Sequence, residues 1–146
     1  MCSSDLSKDN ADLIADLGIV EALIDRALEL DERFDHGALH AFLITYEMSR
    51  PAGVGEPAVR SRGHFTRAMA LSGQQQAGPL VTFAEAVALP VQDRAEFESL
   101  LTRALALDVD ARPEFRLVNL LMQRRARWLL GRANELFPAP DRKSVV

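Results

Sequence analysis

The sequence predicts an all-α fold of stacked antiparallel helix hairpins, a tetratricopeptide-like α-solenoid. Three observations predict it. Apolar residues recur at helical spacing, and no stretch alternates as a half-buried strand would. Aromatics are scarce at 6% while Ala and Leu are abundant, which favours close-packed helices over sheets. One short pattern also occurs three times: "LIDRALELD" from Leu23, "HFTRAMALS" from His64 and "LLTRALALD" from Leu100. Each copy reads apolar, any residue, Arg, Ala, apolar, any residue, Leu, then Asp or Ser.

The elements follow in order. Ala11 to Leu17 reads as the tail of an earlier helix, and Ile19, Ala22, Leu23, Ala27 and Leu30 form the stripe of the next. "DHG" at Asp35 to Gly37 breaks the chain after Phe34. Leu39, Phe42, Leu43 and Tyr46 mark a second helix face. "SRPAGVGEP" is a loop, and Pro57 suits the first turn of a helix because its missing N–H would be unpaired there anyway. "SGQQQAGP" is another break. Thr82 and Glu85 have capping-box spacing and are expected to open a short helix that Pro90 ends. Asp93 with Glu96 is a similar start signal. It precedes the stripe Phe97, Leu100, Leu101, Ala104 and Leu105. "DVDARP" separates the last two helices, and the final one is expected from Glu114 to Leu136.

The reading is six helices in antiparallel pairs. The equivalent alanines Ala27, Ala68 and Ala104 are 41 and 36 residues apart, near the ~34-residue period of tetratricopeptide hairpins. Ala lets a neighbouring helix approach, the Leu three residues on packs down, and Asp or Ser favours a stop. Each copy is expected to end the second helix of one hairpin, which stacks on the next.

Residues 7–140 form the expected helical-repeat domain. Met1 to Leu6, "MCSSDL", and Asp141 to Val146, "DRKSVV", read as translated sequencing adapter. Under one codon choice they share a block in reverse complement. They are left out of fold reasoning. On this reading Cys2, the one cysteine, carries no biology.

Composition narrows function. A net charge of −4 gives no basic face for nucleic acid. No apolar run reaches the ~18 residues of a membrane span. Gly53 and Gly55 are not followed by a Lys-Ser/Thr pair, so "AGVGEP" is not a phosphate loop. There is no G-x-S-x-G, and no cofactor motif is read. His36 and His40 are four apart on one expected helix turn, a spacing that can serve a metal, but Gly37 stands where a zinc protease needs Glu. No third ligand follows, and His64 lies in another helix. No metal site and no catalytic residues are therefore assigned.

The richest stretch is "QRRARWLL". Leu117, Leu120, Leu121, Arg124 and Trp128 share one face. An Arg in an apolar stripe must find an acceptor or lie at a rim. Arg124 beside Trp128 suits a carboxylate ligand or an acidic partner residue, and an internal ion pair is the structural alternative, weighed the heavier of the two. Arg125 and Arg127 are expected at a solvated edge. The candidate ligand- or partner-binding residues are His36, His40, Tyr46, Arg124 and Trp128, each a polar tip on an otherwise packed helix, expected on one concave face.

"FDHGALHAFLITYE", "RGHFTRAMALSGQ", "VTFAEAVALPVQDRAEFESLLTRALALD" and "RLVNLLMQRRARWLLGRANELF" together resemble the T component of tripartite ATP-independent periplasmic (TRAP) transporters. The resemblance covers nearly all of Ala11 to Phe137. It implies a periplasmic, non-catalytic lipoprotein family that assembles as homotrimers and engages the transporter's solute-binding subunit. It also implies a hydrophobic or organic-acid ligand. The family's export signal and lipid-anchored cysteine are not found here, so membrane attachment would rest on an anchor outside this sequence. The chain is accordingly expected to be a C-terminal part whose first helix exposes Leu13, Ile14 and Leu17. The rival from another class is a cytosolic tetratricopeptide scaffold for peptide tails.

Overall fold

A computed structural model describes residues 11–50 and 53–138, with side chains from Asp16 onward. The proposed adapter tails, Cys2, and the side chains of Leu13 and Ile14 lie outside the described residues. Among the described residues all regular structure is helical. The α-helices are α1 (Ala11–Asp31), α2 (Ala38–Tyr46), α3 (Pro57–Leu71), α4 (Ala77–Phe83), α5 (Arg94–Ala106), α6 (Arg116–Gly131) and α7 (Ala133–Leu136). Short 3₁₀ turns, Phe34–His36 and Pro113–Phe115, precede α2 and α6.

Local chemistry explains most boundaries. Pro57 occupies the first turn of α3. That helix stops in a Schellman motif: the Gln74 N–H donates to the Met69 carbonyl at 2.8 Å and the Gly73 N–H to Ala70 at 3.1 Å, with Gly73 left-handed at φ 63°. The Asp93 carboxylate accepts from the Glu96 N–H at 2.9 Å and caps α5 as read. Gly37, at φ 93°, turns the chain into α2. A Cβ there would lie 3.1 Å from the Leu71 Cβ and 3.5 Å from the Ala68 Cα, so glycine is needed for both its dihedral and the close approach of α3.

Three expectations are corrected. Residues 11–31 form one helix running through Gly18, not the tail of one helix and the start of another. Thr82 and Glu85 do not open a helix. Thr82 lies inside α4, which began at Ala77, and the helix continues into a π turn, Ala84–Ala88. The α4 start is capped from elsewhere: the Asn119 Oδ1 of α6 accepts from the Ala77 N–H at 2.8 Å, while its Nδ2 donates to the Gln75 carbonyl at 2.8 Å. A tertiary cap has displaced the local one. Finally, the last helix is not continuous from Glu114 to Leu136, because it breaks at Arg132 (φ −107°, ψ 8°).

The packing is that of consecutive hairpins. α2 packs on α3, α4 on α5, and α5 on α6, while α4 also meets α2, α3 and α6. The core between them holds Ile44, Met69, Leu80, Phe83, Phe97, Leu101, Ala126 and Leu129. Of the three repeat alanines, Ala68 and Ala104 are buried and Ala27 is half-buried. That difference follows from where α1 lies. It packs chiefly on α2, none of its residues from Asp16 onward is fully buried, and it exposes Leu17, Ile19, Val20, Leu23 and Leu30.

Candidate functional site

The candidate residues fall into two groups. The first lies where α1 crosses α2 and α3. Its centre is Glu47, at the end of α2 and only 2% exposed. A bare carboxylate at such a position would be costly, and two guanidinium groups offset the cost. The Arg60 Nε donates to the Glu47 Oε2 at 2.5 Å and the Arg50 Nη1 to the Oε1 at 2.9 Å. Burial alone would push the Glu47 carboxyl up, but these bonds from Arg60 and Arg50 outweigh it and hold the carboxyl below the usual range. Arg60 also donates to the carbonyls of Glu47, Val54 and Gly55. Gly53 permits this, since a Cβ there would lie 2.0 Å from the Arg60 Nη2.

Around this centre the cluster reaches α1. Arg50 donates to Asp25 at 2.9 Å and lies 3.7 Å from Glu21. The Tyr46 hydroxyl donates to Glu21 at 3.1 Å, and its ring stacks on Phe42 at 5.5 Å. Burial and the neighbouring Glu21 carboxylate raise the Tyr46 phenol above its ordinary range. In the turn just after α1, Glu32 pairs with Arg67 of α3, which holds its carboxyl down at about 2. Glu32 also lies 3.5 Å from the Nε2 of buried His40.

His40 meets a residue that the sequence reading set aside. Its Nδ1 is 2.8 Å from the Nδ1 of His64, so one ring donates the single shared hydrogen and the other accepts it. Burial lowers both imidazoles below the ordinary value, more than Glu32 and Glu47 raise them. His36 is elsewhere. It lies in the 3₁₀ turn before α2, with φ 56°, and meets Phe115 edge-on at 4.8 Å. The four-residue spacing therefore does not bring His36 and His40 to one point, because the left-handed turn at Asp35 to Gly37 takes His36 off the helix. Among the described residues, no group of three or more His, Cys, Asp or Glu converges as metal ligands do.

The second group is on α6. Leu117, Leu120, Leu121, Arg124 and Trp128 do share a face, and that face is exposed. The buried side carries Asn119, Gln123, Ala126 and Leu129 instead. A shallow groove of about 290 Å³ is lined by Leu121, Arg124, Arg125 and Trp128. No ion pair among the described residues involves Arg124, so the internal pair weighed for it is not formed there. Arg125 is not a bare solvated edge. It pairs with Glu85 at 2.5 Å, and its guanidinium lies 4.5 Å from the Trp128 ring, with that of Arg132 at 4.8 Å from the same ring.

The two groups therefore occupy different helices, and His40 and Tyr46 are turned toward internal partners. Glu47, His64, Asn119 and Gln123 were missed as key residues. A Glu two residues before Ser49-Arg50, at a helix end facing a second helix that carries Arg60 and His64, was the available clue.

The sequence profile of the TRAP transporter T-component family matches residues 3–137, nearly the whole chain. The chain belongs to this family. As a T-component it is similar to an uncharacterized protein of Treponema pallidum (strain Nichols), with 28% identity over 115 residues, or 79% of this chain. The match covers 36% of that relative, so the chain spans little more than a third of its length. The family is named for a component of TRAP transporters. Among the described residues, no helix is long and apolar enough to cross a membrane.

Proposed function

We propose that this T-component is a non-catalytic periplasmic docking module that engages the solute-binding subunit of its transporter. The observation that carries the reading is the face of α6. Leu117 is 70% and Trp128 47% exposed, and Arg124 stands between them without an ionic partner among the described residues. An aromatic and an arginine on an exposed apolar stripe are the residue types that anchor protein interfaces. We place Arg124 and Trp128 in that contact. The tetratricopeptide-like stack behind them supplies a rigid base, so docking needs little rearrangement. A small hydrophobic or organic-acid ligand in the α6 groove is the second reading, favoured by the apolar wall of Leu121 beside Arg124. Tyr46 and His40 are assigned to the contacts with Glu21 and Glu32, and His36 to packing on Phe115, rather than to touching a partner. Trimer formation belongs, on this proposal, to the longer protein.

The test is binding of the solute-binding subunit encoded with this protein, measured by calorimetry. Arg124→Ala and Trp128→Ala should each weaken binding about tenfold or more, roughly 1.4 kcal/mol, with an unchanged melting temperature. Unimpaired binding in both variants would remove the α6 surface from the proposal. Absence of binding by the unmutated protein, with capture of peptide tails instead, would favour the scaffold alternative.

A further inference from the structure

α6 carries no carboxylate from Arg116 to Gly131, and its exposed face is divided along its length. Leu117, Val118, Leu120 and Leu121 leave the first part apolar and open to solvent. Arg124, Arg127 and Trp128, also exposed, follow on the next turns. Residues three and four apart are neighbours on a helix surface. Arg124 therefore lies between Leu120 and Leu121 on one side and Arg127 and Trp128 on the other.

The arginines around Trp128 are of two kinds. Arg125 donates to Glu85 from Nε at 3.1 Å and from Nη2 at 2.5 Å, and Arg132, at the break after α6, donates from Nε to Glu135 at 2.8 Å. Their guanidinium groups reach the Trp128 ring from one turn before it and one turn after. Each is thus tied to a carboxylate that offsets its charge, and each lies over the indole. Arg124 and Arg127 are different, because neither forms an ion pair or a side-chain hydrogen bond among the described residues. A ring already held in place loses little freedom when a partner covers it. Two neighbouring cations without acceptors repel each other, and both gain from a carboxylate brought to them.

A bilayer does not suit this face. Arg124 stands within the apolar stripe rather than on its flank, so sinking Leu121 and Trp128 among acyl chains would draw the guanidinium in with them. A folded protein can place a carboxylate at that one point. Taking the docking role as given, we infer that the partner is a protein segment whose apolar side chains meet Leu117, Leu120 and Leu121 and whose carboxylates meet Arg124 and Arg127. Arg125 and Arg132 are positioning residues that clamp Trp128. The order is set by the helix: apolar toward the start of α6, acidic toward its end. The two free cations supply the salt-sensitive part of the affinity, and the clamp supplies rigidity.

The experiment uses the full chain and the solute-binding subunit encoded with it. Trp128 is the one tryptophan of the sequence, so its time-resolved anisotropy reads the clamp before any partner is added. Arg125→Gln/Arg132→Gln should release a nanosecond motion of the ring that Arg124→Gln/Arg127→Gln does not. In calorimetry, Arg124→Glu/Arg127→Glu should weaken the complex about a hundredfold and remove most of its salt dependence. Arg125→Gln/Arg132→Gln should weaken it about fivefold and keep that dependence. In the complex, carbodiimide should couple the lysine of Arg127→Lys to an aspartate or glutamate of the subunit, and should not couple that of Leu117→Lys. Full binding by the charge-reversed variant would overturn the assignment while the docking role stands. So would an unmoved anisotropy in Arg125→Gln/Arg132→Gln, or coupling at Leu117→Lys alone. No complex with the unmutated chain would remove the docking role and this assignment with it. Cosedimentation of the unmutated chain with phosphatidylglycerol vesicles, lost on charge reversal, would give the face to lipid and equally overturn it.

Discussion

Asn119 and Gln123, one turn apart on α6, close opposite ends of two other helices. Asn119 caps the N-terminus of α4 at Ala77. Gln123 donates from Nε2 to the carbonyls of Ala104 at 3.1 Å and Leu107 at 2.8 Å, at the C-terminus of α5. Helix ends leave backbone groups without partners, and a buried end must find them elsewhere. α6 thus does for α4 and α5 what their own sequences do not.

Asn119→Ala should lower stability by about 1–3 kcal/mol, the cost of leaving buried backbone groups unpaired. Chemical denaturation at fixed pH checks this. A shift within about 0.5 kcal/mol of zero would mean that water replaces the carboxamide.

Glu47→Ala should cost about 3 kcal/mol or more, since Arg50 and Arg60 would keep their charges at a largely buried site without the carboxylate. Arg60→Ala in the same background should then cost less than it does alone. Additive losses in that double-mutant cycle would show that the pair is not coupled.

Gly37→Ala should destabilise by about 1–2 kcal/mol, because the left-handed φ is unfavourable for alanine and the new methyl presses on Leu71. Gly18→Ala is the contrast. Gly18 is inside α1 with nothing within 4 Å of a Cβ, so alanine should be neutral or stabilising. Melting temperatures of the two variants should move in opposite directions, or that of Gly18→Ala should stay still.

Salt should loosen α1 selectively. Between 0.1 M and 1 M ionic strength the screening length falls from about 10 Å to about 3 Å. Exchange of α1 amides should rise across this range while α5 stays protected. A uniform change along the chain would argue against a polar attachment.

Much of the fold could be read from the residues. Pro57, Gly73, Asp93 and the stripe from Phe97 to Leu105 mark real boundaries and a real core face, because each acts through its own neighbours. Thr82 and Glu85 misled, because a capping box is a local preference and Asn119, 42 residues away from Ala77, supplied the cap. The α6 face was identified as a unit, but its exposure could not be read from a pattern that looks the same for a core-facing stripe. The candidate site was legible only in part. His40 and Tyr46 were found, but the spacing from His36 to His40 drew attention along one helix while the true neighbour, His64, lay on the next. Glu47 carries no local mark of burial, since its environment is created by Arg50 and Arg60.

The double cap made by Asn119 and Gln123 also removes a degree of freedom. A helix packed only through leucines and alanines can slip by one turn, about 5.4 Å, and find another comfortable register. Here such a slip would carry Gln123 to the place of Asn119 and push the guanidinium of Arg127 against the carbonyls of α5, or else bring Phe115 where an amide is required. α6 is therefore keyed in place rather than free to ratchet. Any signal that crosses this end of the molecule must move α4, α5 and α6 together as one block.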